Sequence, residues 1–148
     1  MNKPAKLRSA NPVSANGQMM YSLVRAAHVL ESRLEEALEG VGLSMPKFGA
    51  LSHLVKEGEP LSLSECATKM TCVRSNITQL VDRLEADGLV RRVEDPEDRR
   101  AVRAVVTALG KERYAAGVRQ VERVQAEFAK TLSGIDQGAL ERVLSAIR

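Results

Sequence analysis

Between Arg74 and Arg83 the chain sets Arg74, Ser75, Asn76, Thr78, Gln79 and Arg83 around the apolar positions Ile77, Leu80, Val81 and Leu84. The apolar four recur at i, i+3, i+4 and i+7, the stripe of an amphipathic helix, so the polar six belong to its outward side. Asn and Gln can pair bidentately with an adenine edge, Arg with guanine or phosphate, and Ser and Thr with either. This is equipment for reading a major groove, interrupted only by Asp82. A merely solvated helix also shows polar residues, so the neighbouring elements have to decide.

The next segment supplies five arginines. Leu89 to Glu94 and the Val-rich Ala101 to Val106 read as two strands joined by the polar turn Asp95 to Arg100, with Arg91, Arg92, Arg99, Arg100 and Arg103 around them. A thin β-ribbon ending in arginines can enter a minor groove, where narrow A·T stretches concentrate negative potential. Its tip also holds Asp95, Glu97 and Asp98. Asp98 is expected to hold one arginine in a productive rotamer through a charge-assisted bond.

The elements that position these residues follow from periodicity and punctuation. Residues 1–16, rich in Asn, Pro, Ser and Ala, read as a loose arm. Leu23, Ala26, Ala27, Leu30, Leu34, Ala37 and Leu38 then mark a helix closed by Gly40 and Gly42. Ser44 and Pro46 open a second helix with the stripe Phe48, Leu51, Leu54 and Val55, ending at Gly58. Ser62 and Glu65 form a capping box for a short third helix that buries Leu63, Cys66, Ala67 and Met70 and ends near Thr71. With the fourth helix, stopped by Gly88, it makes a helix-turn-helix. After the hairpin, Thr107 caps a long helix with the near-heptad Val118, Val121, Val124, Phe128 and Leu132, and Asp136 caps a last one carrying Leu140, Val143, Leu144 and Ile147.

Bulk properties are consistent with one mostly helical domain that binds a polyanion. The 148 residues are 44% hydrophobic and 28% charged, which excludes a disordered or collagenous chain. Lys plus Arg exceed Asp plus Glu by 22 to 19, for a charge of +3. An aromatic content of 3% without Trp argues for duplex rather than single-stranded nucleic acid. No apolar run approaches the roughly 20 residues of a membrane span, and Met1 to Gln18 lack the apolar region of a secretory signal, so a cytoplasmic protein with no membrane partner is expected. Two histidines, no glycine-rich phosphate loop and no nucleophile elbow leave no basis for an enzyme, and no cofactor is expected. His28, His53, Cys66 and Cys72 lack tight ligand spacing, so no metal site is expected either.

Three runs resemble the MarR family of bacterial winged helix-turn-helix regulators. They are Asp82-Arg83-Leu84-Glu85-Ala86-Asp87-Gly88-Leu89-Val90-Arg91-Arg92, Asp95-Pro96-Glu97-Asp98-Arg99-Arg100-Ala101 and Thr107-Ala108-Leu109-Gly110. Leu43 to Phe48 and Leu61 to Ala67 extend the similarity upstream. The resemblance implies a mainly α (α+β) fold, with residues 44–106 as a winged helix-turn-helix lobe and 17–43 with 107–148 as dimerisation helices within one domain, 17–148. It further implies a homodimer on a pseudo-palindromic double-stranded operator, the fourth helix in the major groove, and Arg99 or Arg100 of the wing in the minor groove. Val73-Arg74 stand where such sequences place Ser or Thr, which makes Arg74 a candidate phosphate contact. Gln79 stands where they often carry Arg or Lys, which alters the expected base preference.

Family members commonly release DNA when a small aromatic or anionic effector binds or a cysteine is oxidised. Tyr21, Arg25, His28, Met45 and Phe48 combine aromatic, cationic and apolar groups suited to an aromatic acid, and ordinary packing is the competing reading for each. Cys66 and Cys72 raise a redox-sensing alternative, but Cys66 occupies an apolar helical position expected to be buried. The expected function is a transcriptional repressor released by a small molecule. A winged-helix protein-interaction module is the alternative from a different class.

Overall fold

The computed structural model describes residues 14–70 and 74–147. In chain order the elements are α1 (Ala15–Glu39), α2 (Met45–Glu57), β1 (Leu61–Ser62), α3 (Leu63–Lys69), α4 (Arg74–Ala86), β2 (Val90–Glu94), β3 (Val102–Val106), α5 (Ala108–Thr131) and α6 (Gln137–Ala146). The chain forms two compact units, one ending at Ser32 and one beginning at Arg33. Helix α1 starts at Ala15, so Ala15 and Asn16, expected in the arm, are helical. The rest of that arm, residues 1–13, lies outside the described residues.

In the first unit α1 exposes Met19, Met20, Tyr21, Val24 and Val29. The second unit contains the core, built from Leu38, Leu43, Ala50, Leu51, Leu54, Leu61, Cys66, Ala67, Ile77, Val81, Leu84, Leu89, Val90 and Ala104. Ile77, Val81 and Leu84 are the inward stripe of α4, and their burial turns the polar side of that helix outward.

Local chemistry sets the element ends. Ser44 Oγ accepts the Lys47 backbone N–H at 3.4 Å, and Gly58 terminates α2 with φ +75°. The Ser62–Glu65 capping box is reciprocal: Ser62 Oγ accepts from Glu65 N–H at 3.1 Å, and Glu65 Oε2 accepts from Ser62 N–H at 2.7 Å. Thr107 and Asp136 cap α5 and α6 through the N–H groups of Gly110 and Ala139. Gly88, at φ +71°, lets the chain leave α4 and enter β2.

The sheet has order β1-β3-β2, antiparallel throughout, with Val90 opposite Val106, Arg92 opposite Ala104 and Glu94 opposite Val102. The hairpin was expected; β1, with Leu61 opposite Ala104, was not. Two residues are too few to show alternation, and Ser62 already reads as a helix cap.

The stripe of α5 serves two purposes. Val121 packs against the core of its own unit, whereas Phe128 is exposed. Helix α6 buries no residue and leaves Val143 and Leu144 exposed.

Candidate nucleic-acid interface

Helix α4 presents Asn76, Gln79 and Arg83 to solvent, and Thr78 is half-buried. At about 100° per residue the three exposed positions fall within roughly 60° of one another. Asn76, Gln79 and Arg83 make no side-chain hydrogen bond or ion pair among the described residues. Arg74 and Ser75 belong to the first turn of α4, but their side chains, like Thr71, Cys72 and Val73, lie outside the described residues.

The five hairpin arginines divide into two groups. Arg92 donates from Nη2 to Asp82 Oδ1 and from Nη1 to Glu85 Oε2, both at 2.5 Å. Its backbone N–H donates to Glu85 Oε1 at 3.1 Å. Arg103 donates from Nε to Asp95 Oδ2 at 2.6 Å and from Nη1 to the Pro60 carbonyl at 3.2 Å. These two guanidinium groups are spent inside the lobe. Arg91, Arg99 and Arg100 are exposed and make no side-chain hydrogen bond or ion pair among the described residues.

The expected role of Asp98 has to be corrected. Its Oδ1 accepts the backbone N–H of Arg100 at 3.0 Å, so it shapes the turn and, among the described residues, holds no guanidinium. At the end of the ribbon it is Asp95 that holds an arginine, with a side chain only 10% exposed. Asp95 also accepts the Glu97 N–H at 2.9 Å. That backbone bond first, and Arg103 second, keep its carboxyl below the usual range. Once the strands are registered, Asp95 and Arg103 share a sheet face, because Val93 lies opposite Arg103. That register was the missing signal.

Glu85 is likewise held low, by the Arg92 backbone N–H and then by its guanidinium. Among the described residues, the lobe therefore places a polar stripe without side-chain partners beside a ribbon whose tip carries Arg99 and Arg100 unpaired. Such a surface can donate to base edges from the helix and neutralise phosphates from the ribbon.

The effector candidates fall in both units. In the first unit Tyr21 and Arg25 are exposed, and His28 Nδ1 lies 3.4 Å from Glu31. In the second, Met45 begins α2, its N–H donating to Glu35 Oε2 at 3.0 Å. Phe48 stacks on Tyr114 with centroids 5.3 Å apart. Tyr114, whose hydroxyl donates to Ser52 Oγ at 3.3 Å, lies outside the expected set. An open groove of about 480 Å³ is lined by Arg33, Glu36, Ala37, Gln120, Arg123, Val124 and Glu127, none of them among those candidates. Cys66 is buried at 4% exposure. Among the described residues no three His, Cys, Asp or Glu converge as a metal site, and no helix is long and apolar enough to cross a membrane.

Residues 43–102 match the sequence profile of the MarR family. Over 95 residues the chain is 32% identical to the uncharacterized HTH-type transcriptional regulator YsmB of Bacillus subtilis, covering 64% of each chain. It is 28% identical over 124 residues to the HTH-type transcriptional repressor IacR of Pseudomonas putida, covering 83% of this chain and 71% of IacR. The match therefore spans less than two thirds of YsmB's own length. Among solved structures, AbsC, a MarR family transcriptional regulator of Streptomyces coelicolor, superposes with a TM-score of 0.76 at 27% identity, over 93% of this chain and 95% of AbsC.

Proposed function

The chain belongs to the MarR family of DNA-binding transcription regulators, and from that premise we propose that it acts as a homodimeric repressor on a pseudo-palindromic double-stranded operator. One observation carries the reading. Among the described residues Asn76, Gln79 and Arg83 have no side-chain partner on α4 and Arg99 and Arg100 have none on the adjoining wing, although the lobe pairs Arg92 and Arg103 internally.

In this reading α4 enters the major groove, where Asn76 and Gln79 donate to and accept from base edges and Arg83 meets guanine or phosphate. Thr78, Arg74 and Ser75 complete the contacts from the same helix. Arg99 and Arg100 reach the flanking minor groove and neutralise phosphates, releasing counterions. Occupation of a promoter by two such lobes blocks transcription.

Dimerisation is supported by the apolar side chains left in water at both ends of the chain: Met19, Met20 and Val24 on α1, and Phe128, Val143, Leu144 and Ile147 toward the C-terminus. A two-fold dimer matches two half-sites about 34 Å apart. Release by a small aromatic or anionic effector follows from the family resemblance. Tyr21, Arg25, His28, Met45 and Phe48 are each to be tested for it by substitution.

The deciding experiment is binding of the purified protein to a duplex of its own upstream intergenic region, at about 150 mM salt with excess nonspecific competitor. Competitor-resistant binding by a dimer, weakening steeply with salt, is the expected result. Binding no tighter than to competitor would favour a winged-helix protein-interaction module.

A further inference from the structure

We propose that Arg92 is a positioning residue that locks the wing in fixed register with the DNA-reading helix. The inference rests on the DNA-binding reading above, but its geometry stands independently. On α4, Asp82 and Glu85 sit about 60° apart, and both fall outside the arc of Asn76, Gln79 and Arg83, on one flank of it. Arg92 reaches that flank from β2 with two guanidinium nitrogens on two carboxylates one helical turn apart, each at 2.5 Å. Its backbone N–H adds a third bond to Glu85 at 3.1 Å.

A planar fork held at two points fixes translation along the helix as well as rotation about it, which a point charge such as lysine cannot do. Opposite Arg92 stands Ala104, 0% exposed, so the strand is anchored in the core where the fork leaves it. From this point β2 runs directly into the tip that carries Arg99 and Arg100. The lock therefore sets the spacing between a helix in one groove and an arginine pair in the next, before DNA arrives.

The lock and plain electrostatics predict opposite signs. Replacing Asp82 and Glu85 together by Ala removes two negative charges beside the DNA-facing stripe, so electrostatics alone would tighten binding. Loss of the lock instead weakens operator binding by about ten-fold or more. Arg92→Ala is expected to weaken it similarly with the salt slope of the wild type, because the Arg92 guanidinium is already held by two carboxylates, and Arg92→Lys is expected not to restore it. The double variant Arg99→Ala, Arg100→Ala is the reference that does lower the slope.

Tighter binding by the Asp82–Glu85 variant, or a slope reduced by about one in Arg92→Ala, would overturn the proposal. Hydrogen exchange of the free protein supplies a readout without DNA. Amides of Asp95 and of residues 97–101 are expected to exchange faster in the Asp82–Glu85 variant, whose exposed alanines suit a helix and leave it folded, and unchanged exchange also overturns the lock. Failure of the wild type to bind any duplex, with exchange responding as expected, would sink the regulatory reading and leave the lock standing.

Discussion

Individual side chains decide which cations are available to a partner. Arg92 and Arg103 are 25% and 30% exposed, yet their charges are already met by Asp82, Glu85 and Asp95. Partly exposed pairs of this kind add little to stability, so their consequence is orientation. The free arginines carry the recognition prediction. Arg99→Ala with Arg100→Ala should weaken operator binding and flatten its salt dependence, measured by anisotropy titration; unchanged affinity would remove the minor-groove role. Asn76→Ala or Gln79→Ala should cost about 1–3 kcal/mol at particular base pairs. A uniform loss across operator variants would reassign them to phosphate.

Acid sensitivity also belongs to single residues. Glu65, Glu85 and Asp95 are all held below their ordinary values of 4.5, 4.5 and 3.8, chiefly by backbone N–H donors. A carboxyl whose native pKa is depressed contributes stability that is fully present above its ordinary pKa and is lost as pH falls through the lower native value. The melting temperature should therefore hold steady from about pH 7 to about pH 5.5 and fall below about pH 4.5. Glu65→Gln keeps an acceptor for the Ser62 N–H but loses the charge, so it should melt below the wild type near neutrality, converge with it in acid and therefore show the shallower acid limb. An identical acid limb in the two proteins would show that Glu65 does not contribute.

Between elements, close approach is the controlling fact. Helix α5 meets the rest of the lobe at two glycines. A Cβ on Gly110 would lie 2.0 Å from the Leu89 carbonyl oxygen, and one on Gly117 would lie 2.9 Å from the Phe48 ring. Backbone cannot yield as a side chain can, so Gly110→Ala should destabilise by more than the roughly 1–3 kcal/mol usual for overpacking, and Gly117→Ala by less than Gly110→Ala. Urea denaturation of both variants checks the order; equal stabilities would mean that α5 can shift away from Leu89. Sequence reading found the elements themselves readily: the Thr107 cap, the Ser62–Glu65 box and the stripe of α4 are local. It missed β1 because a two-residue strand exists only through its partner β3.

At the level of the whole molecule the dimer is the open proposal, and the structure refines how to test it. Val121 shares the near-heptad stripe of α5 with Phe128 but packs on its own core, so an Asp there would destabilise the fold as well as disturb any interface. Phe128 and Val143 are exposed. Phe128→Asp should leave the thermal melt of the lobe nearly unchanged while shifting the sedimentation coefficient to that of a monomer and abolishing operator binding. A monomer that keeps full affinity would end the two-half-site reading.

By itself the sequence determined what depends on neighbours a few residues apart: helix caps, apolar stripes, the hairpin, and the set of side chains on α4 able to meet bases. Those signals are local because capping bonds and helical periodicity span three or four residues. Which arginines remain for a partner was decided only by tertiary structure. Arg92 lies seven and ten residues from its carboxylates, and Arg103 lies 43 from the Pro60 carbonyl it binds. Asp95 and Asp98 look interchangeable in the chain; strand register points one at a guanidinium, while the turn points the other at a backbone amide. Charge composition counts cations, but only the folded chain determines which of them are already neutralised.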